Sequence, residues 1–337
     1  MDGAGVALDP DASVGCVLCG DAMIRGPKDG YDFSRKRNYR RQVWATFRKN
    51  LKQKGLSIKD SHALLMPSLE GEEIDVALNA GFREQNLHIV DDGPAVVATL
   101  KRRYPRINTY GVTASRAVER IARKGIRLRC LNLDFCGNLS GPFASELLAV
   151  ALCGSYPVSL KFTREGFTTN DSGDGNRAFD DVAFVAISTL RGREHPKTSQ
   201  CLKAILCSDD HVTEALEYGH ELFDSHLDEI TKRLDGYKVP EVVKILRKLP
   251  VRDRQRALFM VNTLGLEILG DQKPEYRPMV RLIRGESYVS SNGQSMLWGV
   301  CEVESFHRVI AQRLKADAIR EAKGIAPIGW AGLEDLR

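Results

Sequence analysis

Residues 62–93 read HALLMPSLEGEEIDVALNAGFREQNLHIVDDG, and this stretch decides the fold. It contains two short apolar runs, at 63–66 and 87–90, and each run ends in a polar turn. Between them, residues 70–80 have helical apolar spacing, and Gly81 follows as a C-terminal stop. Short buried strands that alternate with helices are typical of a parallel sheet with helices on both faces. The stretch therefore predicts an α/β fold with a doubly wound sheet.

The same alternation continues along the chain. Further strands are predicted at 107–112, 128–135, 182–190, 279–283 and 295–303, and further helices at 94–103, 114–124 and 143–153. Residues 163–180 are polar and glycine-rich, which predicts a loop. The polar turn at 290–293 predicts an antiparallel hairpin between the last two strands. The sheet is therefore expected to be mostly parallel, with seven strands and an antiparallel C-terminal hairpin.

These patterns also predict the domain organisation. The predicted segments are a flexible leader (1–33), a basic helix (34–60), a Rossmann-like core (61–198), a helical insertion (199–272), and a C-terminal hairpin and helix that complete the core (273–337). The leader contains Cys16 and Cys19 as a lone CxxC pair, and a structural zinc site needs two further ligands. A metal site and a flexible leader both stay open for this pair, and no metal is assigned.

Composition excludes several classes of protein. The chain of 337 residues has 43% hydrophobic and 28% charged residues, the proportions of a soluble globular protein. No apolar run approaches the roughly 20 residues that cross a bilayer, and no signal peptide is visible. The eight cysteines are scattered through predicted strands and helices, which favours reduced thiols. We therefore expect a cytoplasmic or otherwise intracellular protein without a membrane partner.

Positive charge is concentrated in one predicted helix. Residues 34–55 contain many lysines and arginines and no acid, with aromatic residues between them. Such clustering is typical of a polyanion-binding surface. The residues predicted to bind nucleic acid are Arg35, Lys36, Arg37, Arg40, Arg41 and Arg48 on this helix, and Arg191 and Arg193 after the fifth strand. A solvated helix packed on the flank of the domain, and a loop held by ion pairs, remain the alternatives.

The order of elements resembles the class I S-adenosylmethionine-dependent methyltransferases over about residues 60 to 305. In that family, parallel strands are followed by an antiparallel hairpin whose last strand inserts into the sheet. The resemblance implies S-adenosylmethionine as cofactor. It implies cofactor contacts from Pro67, Glu70, Gly71 and Glu72 in the first turn, Asp91 or Asp92 at the ribose, Gly111 at the adenine, and Asp134. Only Gly71 remains of the glycines that usually line this first turn.

The resemblance also suggests where an acceptor would lie. Residues 134–137 loosely resemble the tetrad of amino-group methylases, in which an acid or amide accepts from the target amine and an aromatic residue stacks on the base. Asp134 and Phe135 are therefore the predicted catalytic residues. The primary hypothesis is a methyltransferase that acts on nucleic acid. The alternatives are a catalytically inactive scaffold with the same fold, and another Rossmann-type nucleotide enzyme. The sequence does not indicate an oligomeric state.

Overall fold

The strands of the main sheet and the helices between them follow the predicted order. The computed structural model describes residues 34–138, 141–155, 158–163, 166–171, 176–191, 245, 248–265, 278–289, 295–305, 320 and 322. The helices are α1 (Ser34–Gln53), α2 (Glu72–Ala80), α3 (Pro94–Arg103), α4 (Ala114–Arg123), α5 (Gly141–Ser155) and α6 (Val251–Leu264). The strands are β1 (His62–Leu65), β2 (Leu87–Val90), β3 (Asn108–Tyr110), β4 (Leu128–Asn138), β5 (Val158–Thr163), β6 (Gly166–Asp171), β7 (Phe179–Arg191), β8 (Met279–Val289) and β9 (Ser295–Glu304).

The main sheet has seven strands in the order β3-β2-β1-β4-β7-β9-β8. Within this order, the five neighbouring strands β3, β2, β1, β4 and β7 pair in parallel. Strand β9 lies between β7 and β8 and is antiparallel to both. The predicted mixed sheet is therefore confirmed, including the insertion of its last strand between two earlier ones.

Helices cover both faces of this sheet. Helices α1, α2 and α3 cover one face, with Trp44, Phe47 and Trp298 in its core. Helices α4, α5 and α6 cover the other face, where Leu147 and Met260 are buried. A strand buried on both faces has a continuous apolar sequence, which explains the uninterrupted Ala-Leu-Leu of β1. The basic helix α1 is thus part of the core layer.

The loop predicted at 163–180 is wrong in part. Residues 166–171 form β6, which pairs with β5 in a separate two-stranded antiparallel sheet. Phe167, Thr168 and Thr169 have high strand propensity, and this outweighed the polar and glycine-rich composition that favoured a loop. Strand β7 also begins three residues earlier than predicted, at Phe179 instead of 182.

Several predictions lie outside the described residues. These are the leader with Cys16 and Cys19, Arg193, most of the helical insertion, the turn at 290–293, and most of the C-terminal helix. Helix α6 is the described part of the insertion. No helix within the described ranges is long and apolar enough to cross a membrane.

Candidate cofactor and acceptor site

The carboxyl ends of the parallel strands bring Asp91 and Asp134 to the same level of the sheet. Leu65 on β1 pairs with Ile89 on β2 on one side and with Asn132 on β4 on the other. Asp91 and Asp134 each lie two residues further along. Because neighbouring strands are about 4.8 Å apart, the backbones of the two acids are separated by about 10 Å across the end of β1. This edge of a doubly wound sheet is where ligands bind.

The first turn, between β1 and α2, is held in place by α3. Gly71 has a left-handed backbone with φ of 68°. A Cβ atom at this position would lie 3.0 Å from Cε2 of Tyr104. The Tyr104 hydroxyl donates a hydrogen bond to Asp75 Oδ1 at 2.7 Å, and Arg103 donates to the Glu70 carbonyl oxygen. Only glycine therefore fits this turn without strain.

The other predicted residues of the first turn differ in exposure. Pro67 is buried beyond the end of β1, whereas the Glu70 side chain faces solvent. Glu72 is the first residue of α2 and is half-buried. Of the three acids expected to converge, Glu70 contributes its backbone carbonyl and not its carboxylate to the contacts that shape the turn.

Asp91 lies at the end of β2 with one carboxylate oxygen engaged. Its Oδ1 accepts a hydrogen bond from the Gly93 backbone N–H at 2.7 Å. Burial raises the pKa of Asp91 above its ordinary value, the Gly93 N–H opposes the shift, and the charge of Asp92 adds to it. Asp92 is exposed. Since Oδ2 has no hydrogen bond from the described residues, Asp91 retains an acceptor that can face a ligand hydroxyl.

The third predicted contact is Gly111, which follows β3 and has an accessible backbone. Gly111 is exposed, and a Cβ added there would meet only a methyl group of Val97, at 3.9 Å. Tyr110 faces the interior instead, with its hydroxyl 3.3 Å from Nδ1 of the buried His88. The Gly111 backbone is therefore the part of this segment that a planar ring could approach.

Asp134 is buried, and both of its carboxylate oxygens are in use. Ser188 Oγ donates to Oδ1 at 2.5 Å, and Lys36 Nζ lies 3.0 Å from Oδ2. Burial alone would raise the pKa of Asp134, but the charge of Lys36, the Ser188 hydrogen bond and the charge of Arg40 outweigh it and lower the pKa. Asp134 is thus held as a carboxylate and is a weak proton acceptor.

A bulge follows Asp134 in β4. Asp134 pairs with Ser188, and the next pair is Asn138 with Leu190, so β4 advances four residues (134 to 138) while β7 advances two (188 to 190). The two extra residues of β4 lie within 135–137. Bulges of this kind occur beside active sites, where they redirect side chains.

Phe135 begins this bulge and packs into the core. Its ring lies edge-on to Phe143 of α5, with centroids 4.6 Å apart at an interplanar angle of 72°. The two rings belong to the core on the α4, α5 and α6 side, whereas Lys36, the partner of Asp134, is on α1 at the opposite face. Phe135 is therefore half-buried away from Asp134, and this placement does not support its predicted role of stacking on an acceptor base.

A chain of buried polar groups lies behind Asp134, between α1, α2 and β4. The Tyr39 hydroxyl donates to Asn132 Oδ1 at 2.9 Å, and Asn132 Nδ2 donates to Glu73 Oε1 at 2.6 Å. Trp44 Nε1 also donates to Glu73 Oε1, at 3.3 Å. Buried polar groups are costly unless they are hydrogen-bonded, so this connected set fixes α1, α2 and β4 relative to one another. Sequence reasoning did not assign these residues.

Glu73 is the titratable centre of this chain. Burial raises its pKa to about 7, the charge of Arg40 limits the rise, and the charge of Asp134 adds to it. Its Oε2 and the Nε of Arg40 are both buried without a hydrogen-bond partner among the described residues. The carboxyl group of Glu73 is therefore poised to change charge near neutral pH.

Three cations that were predicted to contact nucleic acid form ion pairs with acids of this site. Arg37 and Arg40 both pair with Glu72, at 2.6 Å and 3.2 Å, and Lys36 pairs with Asp134. Arg40 is 3% exposed, so its predicted contact with phosphate is corrected: its guanidinium is inside the protein. Arg37 remains exposed at the rim.

The other residues predicted to contact nucleic acid are either exposed on α1 or not fully described. Arg41 and Arg48 are exposed on α1. Arg35 lies in α1 and Arg191 is the last residue of β7, and the structure describes only the backbone of these two residues. Arg193 lies outside the described residues. Within the described ranges, no group of three or more His, Cys, Asp or Glu side chains could hold a metal ion.

Comparisons with known proteins find only weak similarity to solved structures. No family model matches the chain, and no curated protein matches it. Among solved structures, the plantazolicin methyltransferase BamL is 10% identical with a TM-score of 0.36, covering 80% of this chain and 86% of its own. A rRNA methylase from Streptococcus thermophilus is 10% identical with a TM-score of 0.28, covering 56% and 86%.

Not all similar structures are methyltransferases. A protein from Rhodobacter sphaeroides assigned to the Zn-dependent alcohol dehydrogenases is 10% identical with a TM-score of 0.34, covering 77% of this chain and 88% of its own. All three TM-scores are low, so the fold assignment rests on the sheet itself. Its parallel strands and the inserted antiparallel β9 have the arrangement of the class I methyltransferase fold.

The residues at the carboxyl edge fit an adenosine better than they fit an acceptor. Asp91 offers a carboxylate oxygen, and the backbone is accessible at Gly111. At Gly71, Tyr104 of the protein itself fills the space that a side chain would need. At the acceptor end, Asp134 is already bound by Lys36 and Ser188. The accessible groups at Asp91 and Gly111 would suit the adenosine end of S-adenosylmethionine, whereas an acceptor at Asp134 would have to displace the Lys36 side chain.

Proposed function

We propose that this protein is an S-adenosylmethionine-dependent methyltransferase. One observation carries the proposal: Asp91 and Asp134 occupy equivalent levels on either side of β1, in a sheet whose antiparallel β9 is inserted beside β7. These are the strand ends at which a doubly wound sheet binds a nucleotide. Fold alone does not fix activity, so the argument depends on what each residue can do.

The chain provides separate contacts for the parts of the cofactor. Asp91 would accept hydrogen bonds from the ribose hydroxyls through the carboxylate oxygen that Gly93 does not use. The Gly71 turn would hold the methionyl part by its backbone, and Gly111 would lie along the adenine. When bound, S-adenosylmethionine supplies a methyl group on a positively charged sulfur. The protein's contribution to an in-line displacement is then mainly to position the reacting atoms.

Asp134 would orient the acceptor and not deprotonate it. Lys36 and Ser188 hold its pKa low despite burial, so it remains an anion that accepts hydrogen bonds. The Lys36 side chain is 24% exposed, which allows it to leave Oδ2 when a donor on the acceptor takes its place. An exocyclic amine of a nucleobase is such a donor. We infer a nucleic-acid acceptor because exposed cations lie on the adjoining helix.

The experiment is transfer of a radioactive methyl group from S-adenosylmethionine to separate pools of RNA and DNA. The wild type should label one pool. Asp134→Ala should lower labelling by about 100-fold, since an oriented hydrogen bond at the reacting group is lost. Asp92→Asn removes an exposed carboxylate nearby and should leave labelling intact. If neither pool is labelled by a wild type that binds the cofactor, the acceptor class is wrong.

The contacts of Asp134 with other protein groups favour a second candidate function. Both oxygens of Asp134 are bound by protein groups, and Tyr104 packs directly on the only glycine of the first turn. These contacts suit a catalytically inactive scaffold that keeps the fold and binds nucleic acid. Such a protein would bind nucleic acid without a cofactor and would show no heat on titration with S-adenosylmethionine.

A further inference from the structure

Helix α1 separates its cations into two sets. Lys36, Arg37 and Arg40 at its N-terminal end pair with Asp134 and Glu72, as described above. Near the other end, Lys54 pairs with the buried Glu302 and with Glu304 of β9. These paired cations join α1 and the residue that follows it to the rest of the domain, and acids neutralise their charge, including that of the exposed Arg37.

The second set faces solvent. We name Arg41, Arg48, Lys49 and Lys52 the outer ridge of α1; all four side chains are exposed. None of the four has an ion pair with an acid in the described part of the chain. Helix α1 itself contains no Asp or Glu. The outer ridge therefore carries positive charge that no acid among the described residues balances by an ion pair.

The spacing of the outer ridge suits a row of phosphates. Arg41, Arg48 and Lys52 are separated by seven and four residues, close to whole helical turns, so they lie along one side of α1. At 1.5 Å per residue the row is about 16 Å long. Phosphates of one strand of duplex DNA recur every 3.4 Å along the axis, so a row of this length spans about five of them.

The chemistry of the ridge excludes two other modes of contact. The aromatic residues of α1, namely Tyr39, Trp44 and Phe47, are buried in the core. They cannot stack on bases, so the ridge offers a nucleic acid only its cationic side chains, whose commonest partners are phosphate oxygens. A helix that binds a membrane surface inserts an apolar face. The apolar face of α1 is already packed on the sheet, and Ala45 is the only apolar residue of α1 that is exposed.

We propose that the outer ridge of α1 is the surface that binds the phosphodiester backbone of a nucleic acid. This deepens the proposed function, on which it rests for the identity of the substrate, by naming the surface that holds that substrate. Helix α1 runs from the acceptor end of the site, at Lys36, towards Lys54, which directly follows the helix and lies beside β9. A strand lying along the ridge therefore continues towards Asp134.

The test compares two variants with equal loss of charge. The ridge variant is R41Q/R48Q/K49Q/K52Q. The control variant is K59Q/K101Q/R102Q/R120Q, which removes four exposed cations from the loop before β1, α3 and α4. Fluorescence anisotropy would follow binding of a 20-nucleotide single-stranded RNA, the corresponding DNA, and a DNA duplex, between 50 and 200 mM KCl and without cofactor.

The ridge variant should bind at least about tenfold more weakly at 50 mM KCl. For the duplex, the slope of log K against log salt should be less negative by about 3 to 4, because each lost phosphate contact removes about 0.9 from that slope. The control should keep the wild-type slope. Equal losses in both variants would overturn the proposal, as would binding to phosphatidylserine vesicles in preference to all three nucleic acids. Cofactor binding is measured separately, so failure here leaves the methyltransferase proposal standing.

Discussion

Lys36 of α1 and Asp134 of β4 form an ion pair at the carboxyl edge of the sheet, with Nζ 3.0 Å from Oδ2. The Asp134 side chain is 2% exposed and that of Lys36 is 24% exposed. The pair joins the N-terminal end of the basic helix to the predicted acceptor site. The same contact therefore stabilises the position of α1 and determines which groups can approach Asp134.

Removing the cation of this pair should destabilise the protein. Lys36→Met keeps the length of the side chain but leaves a buried carboxylate without its main partner. We expect a loss of about 2 to 4 kcal/mol in the free energy of unfolding at pH 7, because an uncompensated buried charge is costly. Urea denaturation followed by circular dichroism measures it.

The matched control for this prediction is a double-mutant cycle. Asp134→Asn in the Lys36→Met background removes both charges and should cost less than the sum of the single changes. A Lys36→Met variant within about 0.5 kcal/mol of wild type would show that the pair contributes nothing to stability.

Glu73 should make stability depend on pH. Burial raises its pKa in the folded protein to about 7, above the ordinary value of 4.5, so the folded state binds the proton more tightly. The stabilisation from this proton is complete below pH 4.5 and is lost as pH rises through about 7. Over that window the wild type should lose up to about 1.4 kcal/mol per pH unit relative to Glu73→Gln.

Denaturation of wild type and Glu73→Gln at pH 5, 6, 7 and 8 measures this difference. Glutamine can still accept from Asn132 and Trp44 through its amide oxygen, so the variant should remain folded. The relative stability should move in favour of the variant as pH rises. A constant difference across the four values would mean that Glu73 does not titrate in this range.

Gly71 and Gly55 provide a matched pair for the first turn. Both have left-handed backbones, with φ of 68° and 69°, but a Cβ at Gly55 would have nothing within 4 Å. Gly55→Ala should therefore cost only the backbone strain, about 1 to 2 kcal/mol. Gly71→Ala should cost about 1 kcal/mol more, because Tyr104 is held by Asp75 and cannot easily move away.

Thermal or urea denaturation of the two variants gives the comparison. Equal losses would show that the contact with Tyr104 imposes no constraint on the turn. The additional loss in Gly71→Ala should be relieved by Tyr104→Leu in the same chain, since the smaller side chain leaves room for the added methyl group.

Most of the fold could be predicted from local patterns. The apolar runs of β1 and β2 and their polar turns identify parallel strands, and the separation of β8 from β9 by a polar segment identifies a hairpin. Strands β5 and β6 were not predicted, because a two-stranded sheet buries little and the composition of β6 resembles that of a loop. The position of Asp91 was also predictable, since an acid directly after a buried strand must lie at the edge of the sheet.

The buried polar chain could not be derived in the same way. The contacts of Tyr39, Asn132 and Glu73 join α1, β4 and α2, and they form only when α1 folds onto the sheet. A local indication did exist, because Asn132 interrupts an apolar strand. Likewise, Arg40 lies four residues before Trp44 on the apolar stripe of α1, and this periodicity indicates an inward cation.

The central claim is that the carboxyl edge around Asp91 binds S-adenosylmethionine, and isothermal titration calorimetry tests it most directly. We expect saturable binding of one cofactor per wild-type chain. Asp91→Ala should weaken the affinity at least about tenfold, because the ribose hydroxyls lose a charged acceptor. Asp92→Ala, which removes the exposed neighbour, should bind as the wild type does. No heat from the wild type, or equal binding by Asp91→Ala, would contradict the account.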